Sequence, residues 1–323
     1  MVPHFTSKNI RTVPFQLGVD RSGHTVTCLV FTSCGMEVAD MKSVSKTVWS
    51  LGILVSALVV SSSGTLQGQD FRIYTRVYNE AAAKETRGAV LGRSLSLFHA
   101  GKVYDYIENG SESEVIIYEP SQERFTVLNT SRNLATTIHF DEVAHKMHLA
   151  RQVTEDRIAE LETQQPPASR DVLDKLRFPL EGNFVEHFDD EQKLLTLSSP
   201  HLTYSAKCVQ IPNEGVVDFY LQYADQMAQL NYVLHPNALF PKPRLELNRH
   251  LRRRELLPVE VRLRSNIGVE TQLRAEHQVH WKLDAGDRSL IHEWESTLKS
   301  ELTKNVPLNE YQRALLISQM SRR

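Results

Sequence analysis

Polar and apolar residues alternate strictly through Phe71–Asn79. Phe71, Ile73 and Val77 fall on one face, and Arg72, Tyr74, Arg76 and Tyr78 on the other. A period of two predicts a half-buried β-strand. Further strand-like runs follow at Ser94–His99, Lys102–Ile107, Glu114–Glu119, Arg124–Thr130 and Leu134–Phe140. They are joined at Ala100-Gly101, Asn109-Gly110 and Pro120-Ser121-Gln122. Asn-Gly adopts the positive φ values of a tight hairpin readily, and joints this short leave no room for crossover helices. The run is therefore expected to form an antiparallel meander.

Asp141 is expected to cap a helix over Glu142–Gln164. Val143, Met147, Ala150, Thr154, Ile158 and Leu161 recur on one stripe of that helix. A joint at Gln164–Ser169 leads to a short helix near Arg170–Leu176. Strands return at Phe184–Phe188, Lys193–Ser199 and Leu202–Ile211. Helices are expected at Gly215–Leu234 and Arg244–Glu255, strands at Val259–Ser265 and Val269–Leu283, and closing helices at Asp287–Leu302 and Leu308–Met320. The fold class this predicts is α+β: an antiparallel β-meander forming an incomplete barrel or curved sheet packed on helices. The helices are expected on one face, leaving the other wet.

One stretch breaks both periods. Val48–Val60 has 13 residues without a charge, with Lys42 and Lys46 just before it. A basic start, an apolar middle of about 7–15 residues and a small-residue exit describe an export signal, whereas a spanning helix needs about 20 apolar residues. The expected organisation is a leader at residues 1–40, non-native or disordered, then a signal peptide or retained anchor at 41–69. Residues 70–323 follow as one α+β domain. Met41 is expected to be the true start. The protein is expected to be exported, periplasmic or secreted, or else held at a membrane through residues 48–63.

Composition narrows the classes. The chain has 323 residues, with 37 Lys+Arg against 39 Asp+Glu. Near-balance provides no global field for nucleic acid. Cys28 and Cys34 precede the signal, so the exported part retains Cys208 alone and can form no internal disulfide. Cys208 lies in a strand-like run beside Val209, where a buried inert thiol is expected.

Clusters with metal or catalytic spacing mostly have structural readings. His145 and His148 fall opposite the Val143/Met147 stripe and are expected to be solvated. His277 shares a face with Leu273, Ala275, Val279 and Trp281, and reads as a core histidine. His280 points the other way. His187 and Asp189–Glu191 lack calcium-loop spacing and read as a hairpin tip. Asp284 with Asp287, and Glu293 with Glu295, are carboxylate pairs such as any helix offers. Asn109 and Asn129 begin N-x-S/T sequons, relevant only in a eukaryotic secretory host. No G-x-S-x-G, H-E-x-x-H, Walker A or G-x-G-x-x-G motif occurs. No catalytic residue, metal or cofactor is assigned, and a hydrolase is kept only as a remote alternative. The basic run Pro241–Ser265 holds eight Lys/Arg against three acids. Arg249, Arg252, Arg253 and Arg254 within it are either a solvated helix end or a patch for an anionic membrane surface or acidic partner.

The succession GKVYDYI, EVIIYEPSQERFTVLN and TIHFDEV, then LPVEVRLRSN with QLRAEHQVHWKLD, resembles the outer-membrane lipoprotein carrier-like family of secreted half-barrels. The resemblance implies an incomplete antiparallel barrel wrapped over helices, with an apolar concave face that receives acyl chains. It rests on strand rhythm. The chain departs from the family in starting on a strand, and no single arginine matches the family's acyl-handling one. The expected function is an extracytoplasmic, non-enzymatic binding or carrier protein for lipid or lipoprotein. The apolar positions Val103, Ile107, Ile116, Tyr118, Phe125, Val127, Val279 and Trp281 either line the ligand cleft or form plain core. The alternative is a membrane-anchored envelope protein docking through the arginine patch. Neither reading fixes an oligomeric state.

Overall fold

The structure is a computed structural model that describes residues 70–80, 89–109, 112–235 and 238–320. The expectations for residues 1–69, including the Val48–Val60 segment, lie outside the described residues. No described helix is long and apolar enough to cross a membrane.

Six strands run in sequence as the meander requires: β1 (Phe71–Asn79), β2 (Ala89–His99), β3 (Lys102–Asn109), β4 (Glu112–Glu119), β5 (Arg124–Asn129) and β6 (Leu134–His139). Helix α1 (Phe140–Thr163) and helix α2 (Arg170–Glu181) follow. A second meander comprises β7 (Val185–Asp189), β8 (Leu194–Ser198) and β9 (Leu202–Gln210). After α3 (Glu214–Leu234) and α4 (Lys242–Arg253) it continues through β10 (Leu256–Ser265) and β11 (Thr271–His280). The chain closes with α5 (Ala285–Lys299), the short β12 (Lys304–Asn305) and α6 (Leu308–Met320).

The two meanders meet where β1 pairs antiparallel with β11. The result is one curved, open twelve-stranded sheet of order β12-β6-β5-β4-β3-β2-β1-β11-β10-β9-β8-β7. Among the described strands only the β12–β6 pair is parallel. The α+β class with an open, curved antiparallel sheet is thus the fold observed.

Local chemistry explains most element boundaries. Ala100 and Gly101 both have positive φ (51° and 75°), closing the β2–β3 hairpin in two residues. Pro258 is tolerated inside β10 because the register against β9 shifts between Pro258 and Glu260, a bulge that releases a ladder position. Helix α1 starts one residue before Asp141: His139 occupies the cap position without a side-chain bond, and Asp141 sits in the first turn. Acidic residues there complement the helix dipole without capping it. Helix α2 runs past Leu176 to Gly182, whose φ of 65° ends it.

The expectation of one covered face is corrected. Helices α1–α4 and α6 contribute to a main core on the concave side, around Phe98, Tyr118, Phe125, Leu195, Tyr204, Tyr220 and Leu247. A second core lies on the opposite face, where Ile291 and Trp294 of α5 cover Leu97, Tyr104, Val115, Ile117 and Leu128. The physical reason lies in β4. Val115, Ile116, Ile117 and Tyr118 are all buried, at 0–3% exposure. A strand apolar at consecutive positions is covered on both sides.

Candidate functional site

The concave face divides into a sealed part and a half-open part. Over β2–β5, helix α3 lies directly on the sheet. Phe98 stacks on Phe71 with centroids 4.0 Å apart and meets Tyr223 edge-on at 5.5 Å. Tyr118 contacts Tyr223 and Phe140. Five of the apolar positions expected to line a cleft lie under this cover. Val103, Phe125 and Val127 have no exposure, and Ile116 and Tyr118 have 3%. They are plain core, filled by the protein's own helix, which resolves the alternative left open for them.

Ile107, Val279 and Trp281 differ. Ile107 and Val279 are half-buried, and Trp281 is 41% exposed beside Phe71. Val279 belongs to a strip on β1, β11 and β10 where helix cover is incomplete. In register, Ile73 faces Val279, Thr75 faces His277 and Val77 faces Ala275; Leu263 of β10 extends the strip. Thr75, Val77, Leu263, Ala275, His277 and Val279 are all half-buried.

Polar groups gather along the inner edge of this strip. Asp105 of β3 is 5% exposed and accepts a 2.8 Å hydrogen bond from the Ser96 hydroxyl. Burial pushes its carboxyl above the ordinary Asp value, against the opposing pull of Tyr223 and Ser96. No cation pairs with Asp105 among the described residues. Tyr220, one turn before Tyr223 on α3, interacts with the Arg244 guanidinium; burial raises its hydroxyl, and Arg244 opposes the rise. On the β11 side, His277 Nδ1 lies 2.9 Å from the Thr75 hydroxyl, while Nε2 is buried without a hydrogen-bond partner. Burial first, and the Arg244 charge second, push the His277 imidazole down to about 4, so the ring is neutral near pH 7.

By sequence Arg244 is one of the eight basic residues of Pro241–Ser265. It lies in the first turn of α4, on the same stripe as the buried Leu247 and Leu251. The spacing i, i+3, i+7 was the signal that could have placed it on the inner face. Asp105 was missed in the same way: it sits between Val103 and Ile107, and a period of two puts all three on one face.

The four arginines of the proposed patch are engaged within the molecule. Arg249 pairs with Glu246 at 2.7 Å, and Arg252 with Asp225 at 2.8 Å. Arg253 and Arg254 share Glu186, at 3.3 and 2.7 Å, and Arg254 also lies over the Phe188 ring at 4.4 Å. His250 Nδ1 is 2.9 Å from the same carboxylate. Burial pushes the Glu186 carboxyl up, but Arg254 and His250 outweigh it and hold the group below the ordinary range.

The remaining candidates are structural. His145 and His148 are exposed on α1. Among the described residues no group of three or more His, Cys, Asp or Glu could hold a metal ion. Asp284 and Asp287 form a capping box at the start of α5, and Glu295 accepts a 2.7 Å hydrogen bond from Tyr104. The Asn129 side chain is fully buried, which closes that sequon in the folded protein. A shallow groove of about 310 Å³ at the hairpin ends is lined by His201, Arg264, Asn266 and Glu270 and lies wide open to solvent. Burial pushes the Cys208 thiol up to about 12. The thiolate is the reactive form. Native protein treated with iodoacetamide at pH 8 should therefore leave Cys208 unmodified on peptide mapping, with full labelling in denaturant; rapid native labelling would refute the buried placement.

No protein-family profile matches the chain, and no curated protein matches it in sequence.

Proposed function

We propose that the protein is a non-enzymatic binding protein of the half-barrel kind, and that it holds an acyl chain in the half-open strip of the concave face. One observation carries this reading. The curved sheet is sealed by α3 over β2–β5, yet Val77, Leu263, Ala275 and Val279 keep solvent contact over β1, β10 and β11, with Trp281 exposed at the margin. Apolar surface on a concave face with few convergent polar groups is the usual makeup of a small-molecule site. The ligand region is thus narrower than the full set of apolar strand positions: Val279 and Trp281 remain in it, while Ile107 on β3 lies outside the strip. The strand-rhythm resemblance to lipoprotein carriers agrees in kind with such a ligand. Export to the periplasm or beyond belongs to the same proposal and rests on the Lys42–Val60 segment.

The test is saturable uptake of a neutral acyl probe, dodecanol, by the purified full chain freed of lipid. Ala275→Trp places an indole in the strip and should weaken uptake about tenfold or more, roughly the loss of a buried hydrocarbon contact. Its melting temperature is recorded alongside. Absence of saturable uptake, or uptake indifferent to the added indole, would defeat the acyl reading.

A further inference from the structure

A charge stands beside the half-open strip. Arg244 is half-buried, projects from the inner stripe of α4, and has no carboxylate within ion-pair distance among the described residues. This sets it apart from Arg249, Arg252, Arg253 and Arg254, which are all paired. Its position also runs against helix electrostatics. It stands in the first turn, at the positive end of the α4 dipole, and that turn contains no acidic residue. A partly buried guanidinium at a positive helix end, without a counter-charge, is a costly arrangement unless an anion joins it.

The Tyr220 hydroxyl oxygen accepts from the Arg244 guanidinium, and its own O–H is a donor; Asp105 lies within electrostatic reach of the same hydroxyl. His277 lies within electrostatic reach of Arg244, with one nitrogen engaged by Thr75 and the other, Nε2, buried and unpartnered. When Thr75 donates to Nδ1, the neutral ring carries its proton on Nε2, which is then a donor without a partner. Guanidinium, imidazole N–H and phenol together suit the planar or tetrahedral oxygens of a carboxylate or phosphate.

We infer that Arg244 and His277 form an oxyanion-binding site midway along the strip, taking the carboxylate or phosphate head of the ligand. This rests on the acyl reading for the ligand's tail, while the head site can be tested without it. The ligand class is then an acidic amphiphile, its chain on the apolar strip positions beside His277 and its head at Arg244.

The experiment is titration calorimetry of the full chain with dodecanoate, dodecyl phosphate, dodecanol and inorganic phosphate. The acids should bind about 10–100-fold tighter than dodecanol, the range expected for hydrogen bonds to a charged group. Arg244→Gln should erase that advantage while leaving dodecanol binding in place. The wild-type comparison of acid with alcohol stands even if the variant folds poorly. Equal affinity for acids and alcohol overturns the head site and leaves the acyl reading intact. Binding of inorganic phosphate that Arg244→Gln abolishes, without uptake of any chain, upholds the head site and overturns the acyl reading. No binding by any of the four overturns both. A preference for dodecyl phosphate over dodecanoate assigns the phosphate head, and the reverse assigns the carboxylate.

Discussion

Asp105→Asn should remove a loss of stability that the wild-type protein suffers as pH rises. Asp105 is buried on the concave face, accepts from Ser96, stands beside Tyr223, and has no cationic partner among the described residues. Burial raises its folded-state pKa above the ordinary Asp value of about 3.9. Below that value both folded and unfolded chains hold the proton, and Asp105 costs nothing. Between the unfolded and the raised folded value, only the folded chain holds it. Stability then falls by up to about 1.4 kcal/mol per pH unit, and levels off once the folded group also ionises. Asn keeps the acceptor for Ser96 and cannot ionise. Urea unfolding at a series of pH values should therefore show the variant gaining on the wild type from about pH 4 upward. Parallel stability curves for the two proteins would mean that Asp105 is solvated or paired in the folded state. Asp105→Ala should behave differently: it strands Ser96 and Tyr223 without an acceptor, at about 1–3 kcal/mol each.

That cost bears on function. The buried acid Asp105 and the half-buried Arg244, neither in an ion pair among the described residues, both act on Tyr220, in a face built mainly of aromatic and aliphatic groups. Packing alone would favour apolar residues at both positions, since an apolar substitute of similar size is commonly neutral or stabilising. Charges retained against the local interest of stability cluster at binding sites.

How far the sequence could take this reading depended on whether a feature was local. The strands of the first meander were legible because alternation and two-residue turns are local signals; Phe71–Asn79 and the closing helix Leu308–Met320 match their expected bounds. The pairing of β1 with β11 joins Arg72 to His280 across the whole domain, and no local pattern encodes it. The second core was legible but overlooked. Four consecutive apolar residues at Val115–Tyr118 fit a strand buried on both faces better than an alternating one. Separating core from cleft was beyond the strand pattern altogether. Val127 and Val279 occupy equivalent apolar positions, and only the path of α3 seals one and leaves the other half-open. Arg244 needed the helical period applied across a stretch whose many charges suggested a uniform solvated face.

Asp287→Ala should be among the most damaging single substitutions outside the aromatic core. Asp287 has 3% exposure and does two things at once. Its carboxylate takes the Arg72 guanidinium of β1 at 2.8 Å, and it accepts the Asp284 backbone N–H at 2.9 Å while its own N–H donates to Asp284. It therefore fastens the first turn of α5 to the sheet it covers. Arg72 is 26% exposed and keeps Asp284 at 2.8 Å, so the loss should lie between that of a helix cap, about 1 kcal/mol, and that of a fully buried partner, about 3–5 kcal/mol. For a domain of this size each kcal/mol lowers the melting temperature by about 2–4 °C, so a loss of about 2–4 kcal/mol gives a fall of roughly 4–16 °C. Arg288→Ala is the internal control. Arg288 sits next along the same helix, is 53% exposed, and pairs with Asp70 at 3.1 Å, so its loss should cost no more than about 1 kcal/mol. Detachment of α5 would also expose Trp294, which stacks on Tyr106 at 5.9 Å and lies over Tyr104. Asp287→Ala should then give a red-shifted tryptophan emission at temperatures below global unfolding, and Arg288→Ala should not. Equal melting temperatures for the two variants would show that the outer core holds α5 in place without the Arg72–Asp287 link.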